Sequence, residues 1–245
     1  MTDGRRARVW GLVAERAGAR GDAVSAGDAC EVAAAVSGAD GAWLTVMSDP
    51  ARRVLVHATG KRAAELEELQ FTVGEGPCVD AFTAGVPVLV PDLGTSGWRA
   101  RWPGFTVAGG HAGASAVFAF PLAQGAIRVG VLGLYRGAPG PLGPEGLADV
   151  LVCADAALLL LLNARAGTDG HAHPNGDSDG WRGLHTQVYQ ATGMVSVQRE
   201  VSLEEALALL RAYAFARDLP LGEVAAQVVA RRLRLDSGGA EKPPD

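Results

Sequence analysis

Apolar side chains recur along the chain in two spacings, and together these predict a mixed α+β structure. Spacing of three and four residues predicts helices at residues 5–19, 26–36 and 144–166. Short apolar or alternating runs predict strands instead. The predicted strands are residues 42–47, 53–59, 86–90, 114–120 and 127–135. Turn-forming residues at 48–50 predict that the first two strands pair as a hairpin.

This order of elements (helix, hairpin, central loops, hairpin and closing helix) predicts a domain built around an antiparallel sheet. We expect a ligand pocket on the sheet face that the helices leave open, lined by loops at residues 98–103 and 110–113. The longest uninterrupted apolar run, residues 156–162, is too short to span a bilayer. The sequence therefore predicts no membrane association.

A domain boundary is predicted at residues 167–180, which contain almost no apolar side chain. Such a segment buries too little surface to offset its ordering entropy, so we predict a flexible linker. By the same reasoning residues 237–245 form a disordered tail. An N-terminal helix is expected within residues 1–20, a globular domain at 21–166 and a helical module at 181–236.

The helical module is predicted to hold three helices. The second begins at Ser202, which is the N-cap of a capping box completed by Glu205. The third begins around Pro220, which suits a first-turn position, and runs to about residue 233. The expected core positions are Leu184, Val188, Ala191, Val195, Leu203, Ala206, Leu210, Tyr213, Leu221, Val224 and Val228.

Charge and cysteine usage restrict the function. The net charge of −5 argues against non-specific coating of nucleic acid, whereas residues 181–236 carry seven Arg, no Lys and six acids. Arginine suits phosphate and base recognition better than lysine does. The three cysteines are far apart and odd in number, so they predict neither a disulfide framework nor a zinc site. A reducing, cytoplasmic location fits them.

Four runs in the helical module, QATGMV (190–195), SLEEA (202–206), LRAYAF (210–215) and LGEVA (221–225), resemble the ANTAR family of RNA-binding antiterminators in order and spacing. The resemblance implies a homodimer that grips paired RNA stem-loops and thereby favours an antiterminated transcript. One departure is Thr192, which stands where many members carry lysine. That change removes one candidate phosphate contact.

The preceding domain is similar to a GAF domain, of the kind joined to ANTAR in actinobacterial regulators. The runs that carry the similarity are VGEGPCVDAF (73–82), VPV (86–88), PD (91–92) and GVLGLY (130–135). GAF domains are sensors whose members bind nucleotides, tetrapyrroles, metals or nothing known, so no cofactor is assigned. The predicted architecture is thus α+β, with a GAF-like antiparallel sheet, flanking helices and a C-terminal three-helix ANTAR-like module.

The RNA-binding surface is expected on the helical module. Gly193 lies inside a predicted helix, where glycine costs about 1 kcal/mol relative to alanine, so either close approach of RNA or close helix packing should offset it. Arg211 either forks onto a phosphate or guanine edge, or pairs with Glu204 or Glu205. The residues assigned to RNA binding are Ala191, Gly193, Arg199, Arg211, Ala214 and Arg217. Tyr213 fits the core better than base stacking, and the arginines at 231, 232 and 234 fit a solvated helix end.

The sensor site is expected around the GEGPC run. Its glycines could place backbone amides for an anion at a helix that begins near Pro77, although a tight strand-to-helix turn explains them better. Cys78 is either a redox or covalent sensor with a lowered pKa or a plain buried thiol. The candidate ligand-pocket residues are Cys78, Asp80, Trp98 and His111.

Nothing in the sequence assigns a catalytic residue or a metal ligand, since no P-loop, GxSxG or HExxH motif occurs and the two linker histidines fit a solvated segment. The predicted function is a signal-responsive, non-enzymatic RNA-binding regulator that promotes antitermination. The main alternative is a regulator whose helices pair with a protein partner. A DNA-binding helix-turn-helix and a GAF-like sulfoxide reductase are weaker alternatives.

Overall fold

The structure is a computed structural model that describes residues 2–166, 179–217 and 219–235. The chain divides into two compact units, Met1–Gly176 and Asp177–Asp245. All but the last two residues of the predicted linker, and the whole predicted tail, lie outside the described residues.

The first unit contains one antiparallel sheet. Its strands are β1 (Gly41–Asp49), β2 (Arg52–Ala58), β3 (Val88–Val90), β4 (Ala116–Gln124) and β5 (Ile127–Arg136). Their order in the sheet is β2-β1-β5-β4-β3. The five predicted strands are confirmed, with ends shifted by a few residues. The β1–β2 hairpin closes where the Asp49 carboxylate accepts hydrogen bonds from the amides of Ala51 and Arg52, both at 2.8 Å.

Seven helices in the described part of the first unit surround this sheet. They are α1 (Thr2–Arg20), α2 (Ala26–Ser37), α3 (Lys61–Val73), α4 (Pro77–Ala84), α5 (Ser96–Arg101), α6 (Pro103–His111) and α7 (Pro144–Ala166). The prediction of central loops was wrong, because the stretches 98–103 and 110–113 belong mostly to α5 and α6. The helix at α3 was not predicted at all.

One face of the sheet packs against α2 and α7, and α1 packs against these two helices. Strand β1 shows the alternation, since Ala42 and Leu44 join this core while the side chains between them point to the other face. Val9 and Val13 bring α1 into the same core, as the apolar spacing predicted. The apolar spacing of residues 144–166 predicts that Leu151 is buried, but it is 44% exposed on the outer side of α7.

Helix α7 is long and apolar enough to cross a membrane, judged by its length and composition alone. The apolar segment is Pro144–Ala164, and 44% of its most apolar stretch is buried inside the protein. Val150, Cys153 and Ala157 are fully buried in the core that α7 shares with α2. These contacts account for the apolar character of α7 as that of a core helix.

Helices α3 and α4 cover the second face, and α6 packs on α3, so the expectation of an open sheet face was wrong. Large side chains fill the layer between them. The indole of Trp43 on β1 lies over Gly133 on β5, where any added Cβ would collide with the ring. Trp102 and Phe105 pack edge to face at the start of α6, with ring centres 6.5 Å apart.

The second unit is a bundle of three helices, as predicted. They are α8 (Asp179–Arg199), α9 (Leu203–Arg217) and α10 (Leu221–Val229). Helix α8 begins two residues inside the predicted linker. The capping box at α9 is confirmed: the Glu205 carboxylate accepts the Ser202 amide at 2.9 Å, and the Ser202 hydroxyl accepts the Glu205 amide at 3.2 Å.

Helix α10 ends earlier than predicted because its last turn closes as a Schellman motif. The amide of Arg231 donates to the Val228 carbonyl and that of Arg232 to the Gln227 carbonyl, both at 2.9 Å. Arg231 itself has a φ of 58° in the left-handed region. The arginines at 231, 232 and 234 therefore follow α10 rather than lie on its last turn.

The core of the second unit differs from the prediction on α9. Leu203 is exposed and Tyr213 is half-buried, whereas Leu207 and Ala214 are buried. The buried stripe of α9 is thus rotated by part of a turn from the expected one. The side chain of Leu184 lies outside the described residues. The buried side chains described here are Val188, Ala191, Thr192, Val195, Ala206, Leu207, Leu210, Ala214, Leu221, Val224, Ala225 and Val228.

Candidate functional site

Three of the residues assigned to RNA binding are arginines on α8 and α9. Arg199 is half-buried at the end of α8, and its Nη1 donates to the Leu235 carbonyl at 3.2 Å. Arg211 is half-buried on α9. Arg217 is exposed at the end of α9, with its guanidinium carbon 5.1 Å from the centre of the Tyr213 ring. Arg217 therefore presents the least covered guanidinium of the three.

Two further residues assigned to RNA binding, Ala191 and Ala214, are corrected by their burial. Ala191 is fully buried on α8 and Ala214 is 5% exposed on α9. A methyl group packed between helices has no surface to offer to a ligand. These alanines let α8 and α9 approach one another, and they contribute to the site only by holding its helices in place.

Gly193 is placed differently from both alanines. A Cβ built at this position would meet nothing within 4 Å, although the residue lies well inside α8. The interpretation that Gly193 permits close helix packing inside the module is therefore wrong. What remains is a helix-weakening glycine whose missing side chain leaves open space on the outside.

The GEGPC run in the first unit forms a tight turn rather than an open anion site. The Gln70 side-chain oxygen accepts the amide of Cys78 in the first turn of α4, at 2.8 Å. Gly76 has a φ of 136°, and a Cβ there would lie 2.6 Å from that same oxygen. Gly76 is thus required for the close approach of Gln70. Because the Cys78 amide donates to Gln70, that amide is not available to an anion.

The start of α6 is capped from the same loop. One carboxylate oxygen of Glu75 accepts the amides of Gly104 at 2.7 Å and Phe105 at 3.1 Å. A carboxylate at a helix N-terminus satisfies unpaired amides and complements the helix dipole. Both helix starts that border this loop are therefore satisfied by the chain's own side chains.

Asp80 links α4 to the α5–α6 segment. Its Oδ2 accepts hydrogen bonds from Arg101 Nε at 2.5 Å and from the indole nitrogen of Trp102 at 3.2 Å. Trp98 stacks on Trp102 with ring centres 4.9 Å apart. Asp80 and Trp98 thus belong to one surface cluster, while His111 is exposed at the last turn of α6.

Cys78, the remaining candidate in the sensor site, is a protonated buried thiol. Burial raises the pKa of Cys78 to about 12. The other two cysteines, Cys30 and Cys153, are buried on α2 and α7. Of the four candidate residues of the sensor site, Asp80 and Trp98 are joined through their contacts with Trp102. Among the described residues, no group of three or more His, Cys, Asp or Glu side chains is placed to hold a metal ion.

Family models match both units. Residues 26–150 match the model described as a GAF domain. The chain belongs to the GAF domain family. Residues 185–229 match the model of the ANTAR domain, so an ANTAR domain is present in the second unit as well. No curated protein matches the chain.

Solved structures similar to the GAF domain include two from phosphoenolpyruvate-protein phosphotransferases. The Acinetobacter domain is 12% identical with a TM-score of 0.48, and covers 68% of this chain and 96% of its own. The Coxiella burnetii domain is 15% identical with a TM-score of 0.49, and covers 66% and 97%. The GAF-B domain of DevS from Mycobacterium smegmatis is 20% identical with a TM-score of 0.40, and covers 57% and 91%.

Arg53, Glu67 and Gln70 of the GAF domain form a buried polar cluster that the sequence did not predict. Arg53 and Glu67 are almost completely buried, and Arg53 Nη1 lies 3.4 Å from Glu67 Oε1. Arg53 also donates to the Gln70 carbonyl at 3.2 Å and lies 5.4 Å from the centre of the Phe71 ring. An arginine in a strand and a glutamate in a charged helix carry no sequence signal that distinguishes them from surface residues.

Within the ANTAR domain, two side chains lie where the sequence did not indicate. Thr192, which stands in place of a family lysine, is buried and donates its hydroxyl to the Val188 carbonyl at 2.7 Å. Phe215 is 90% exposed on α9, although its position in an apolar run gave no sign of this. Thr192 therefore lies in the core of the bundle, whereas Phe215 belongs to the surface.

Proposed function

We propose that this protein is a signal-responsive RNA-binding regulator that promotes transcription antitermination through its ANTAR domain. The presence of that domain beside a GAF domain supports the proposal. GAF domains act in signal sensing and ANTAR domains in RNA-binding antitermination. We place the protein in the cytoplasm, acting as a homodimer on paired RNA hairpins.

The observation that carries the proposal is the open space beside Gly193. A glycine in the middle of a helix costs about 1 kcal/mol relative to alanine, and no packing within the described part of the ANTAR domain requires it. A binding partner that needs close access to the α8 backbone would explain the residue. RNA fits this requirement, because its loops present bases and sugar hydroxyls that approach a bare helix closely.

Arginines would supply the rest of the RNA contact. Arg211 and Arg217 lie on α9, and Arg199 lies at the end of α8. We assign Arg211 to a base edge or loop phosphate, and Arg199 and Arg217 to phosphates. The Arg211→Ala variant is expected to lose about 1–3 kcal/mol of RNA affinity if Arg211 reads a base.

A pair of glycine variants tests the proposal. The wild-type chain is first used to select RNA from a pool of twin hairpins with randomised loops. Gly193→Ala should then stabilise the ANTAR domain by about 1 kcal/mol. The same variant should bind the selected RNA about tenfold more weakly, or weaker still. Gly11→Ala is the matched control, because Gly11 lies in the interior of α1 and its added Cβ also meets nothing within 4 Å.

The outcomes of this pair are distinct. The control should leave RNA affinity unchanged. The proposal fails if the wild-type chain enriches no hairpin RNA from the pool, and the role of Gly193 fails if Gly193→Ala binds the selected RNA as tightly as the wild type.

The signal is expected to act on the GAF domain. Asp80 and Trp98 are the candidate residues that remain accessible together, and we propose that their cluster on α4 and α5 responds to a small molecule. His111 and Cys78 are kept as secondary positions. A thermal-shift screen of the full chain against nucleotides and tetrapyrroles tests this sensing role, with Asp80→Asn as the variant that should lose any stabilisation.

A further inference from the structure

Phe215 stands out among the large apolar side chains that the structure describes. It is 90% exposed, and the next most exposed is Val197 of α8, at 80%. Exposing a phenyl ring to water forfeits the burial that normally stabilises it. The ring adds little to the core of the three-helix bundle, so it is available for a contact outside the bundle.

The surroundings of Phe215 leave its ring open. On the same outer side of α9 lie Ala208, Ala212 and Ala216, all exposed and all too short to cover it. Arg211 precedes Phe215 by four residues and therefore lies one helical turn away on the same face. The other aromatic of this helix, Tyr213, is half-buried with Arg217 over its ring, so it is not open in the same way.

We propose that Phe215 is a stacking platform for an unpaired base of an RNA loop, with Arg211 beside it to contact the phosphate or edge of the same nucleotide. This inference rests on the proposed RNA-binding function and names the side chain that would hold the base. Recognition of single-stranded RNA relies on aromatic rings that stack splayed bases, because every base has a π-face.

Charge favours RNA over a protein partner at this surface. The two charged side chains that the structure describes on the second half of α9 are both arginines, Arg211 and Arg217. A single ring between alanines is a small apolar area, whereas protein interfaces bury an extensive and contiguous one. An arginine next to an open aromatic ring complements a nucleotide, which has a flat base and a negative phosphate.

Substitution of Phe215 tests the stacking role with the RNA selected by the wild-type chain as the probe. Loss of one stacked base corresponds to about a five- to 150-fold loss of affinity, so Phe215→Ala should weaken binding within that range. Phe215→Trp keeps a stacking surface and should bind within about twofold of the wild type. Phe215→Leu keeps the apolar character without the π-face and should bind as weakly as Phe215→Ala.

Ile127→Ala is the matched control, because it removes another exposed apolar side chain, 67% exposed, from β5 of the GAF domain. It should leave RNA affinity unchanged. The dependence of affinity on salt should also be unchanged in Phe215→Ala, since stacking releases no counterions.

The failures are separable. If the wild-type chain binds RNA and Phe215→Ala binds equally well, the stacking role is overturned while the proposed function stands. If Phe215→Leu binds like the wild type, the contact is apolar and stacking is again overturned. If Phe215→Ala changes only the oligomeric state in analytical ultracentrifugation, the ring docks a second copy of the chain instead. If no RNA binds the wild type, both the function and this inference fall.

Discussion

Replacing Glu67 by glutamine should destabilise the GAF domain strongly, because Glu67 forms a buried ion pair with Arg53. The substitution keeps the size of the side chain but removes the carboxylate charge that lies beside Arg53. The side chains of Arg53 and Glu67 are 0% and 2% exposed, and the nitrogen–oxygen distance is 3.4 Å. Removing one partner of a buried ion pair typically lowers the free energy of unfolding by about 3–5 kcal/mol. For Glu67→Gln we expect the lower end, about 3 kcal/mol.

We expect that lower end because Arg53 keeps other partners. Its Nη2 still donates to the Gln70 carbonyl at 3.2 Å, and its Nε donates to the Pro50 carbonyl at 3.2 Å. The Phe71 ring also remains 5.4 Å from the guanidinium carbon. These neutral acceptors offset part of the lost attraction, although they do not neutralise the charge.

The chain offers a matched control in the same helix. Lys61 and Glu65 form an i,i+4 pair whose nitrogen–oxygen distance is also 3.4 Å, but their side chains are 86% and 41% exposed. Exposed pairs of this kind contribute about 0.3–0.5 kcal/mol, so Glu65→Gln should change little. Burial is therefore the main variable that separates the two substitutions.

Urea denaturation of the full chain provides the measurement, followed by near-UV circular dichroism. With a slope of about 2 kcal/mol per molar urea, Glu67→Gln should lower the midpoint of the GAF-domain transition by about 1.5 M. The double variant Arg53→Met/Glu67→Leu should be less destabilised than Glu67→Gln, because it leaves no buried charge. Equal midpoints for Glu67→Gln and Glu65→Gln would show that burial does not set the contribution of the Arg53–Glu67 pair.

Three further predictions concern helix ends and thiols. Glu200 has a φ of 56° at the end of α8, where the Val201 amide closes the turn onto the Ser196 carbonyl, so Glu200→Gly should raise the free energy of unfolding by about 0.5–1 kcal/mol in urea titrations. The hydrogen bonds from the Ser202 backbone and hydroxyl lower the pKa of Glu205. That contribution to stability is present above the ordinary carboxyl pKa and is lost as pH falls through the lowered one, so the drop in ANTAR-domain melting temperature on acidification should be smaller in Ser202→Ala. Burial raises the pKa of Cys78 to about 12, and all three cysteines are buried. A thiol reagent at pH 8 should therefore label no cysteine rapidly in the native chain and three after denaturation. Rapid labelling of the native chain would contradict the fold.

The layers of the GAF domain were only half predictable from the sequence. The β strands and the helices α1, α2 and α7 follow from apolar spacing, because each buries one clear stripe. Helix α3 escaped since Glu67 and Gln70 are buried polar residues that interrupt its apolar stripe. Helix α6 escaped because three glycines in a nine-residue element lower its apparent helix propensity.

A signal for the covered second face was nevertheless present. The run AWLTVM in β1 is almost continuously apolar, and such a strand is typical of burial on both faces. In the structure Ala42 and Leu44 face one helical layer while Trp43 faces the other. A strand that packed on one side only would have alternated apolar and polar residues.

The candidate RNA site was predicted more by resemblance than by pattern, and burial separates its members. Ala191 and Ala214 fall in the core, while Gly193 and Arg217 remain outside. Spacing alone could not assign Phe215, because an apolar residue in a short amphipathic helix is expected to face inward. Only the packing of α8 against α9 and α10 fixes which side of α9 stays in water.

The proposed function depends on the claim that the outer face of the ANTAR domain recognises RNA loops, which fluorescence anisotropy measures. The full chain is titrated with a twin-hairpin RNA selected by it, and with a perfectly paired duplex of the same length, at several salt concentrations. We expect the twin hairpin to bind at least about tenfold more tightly, with an affinity that falls as salt rises. Equal binding of hairpin and duplex, or no binding of either, would contradict the claim.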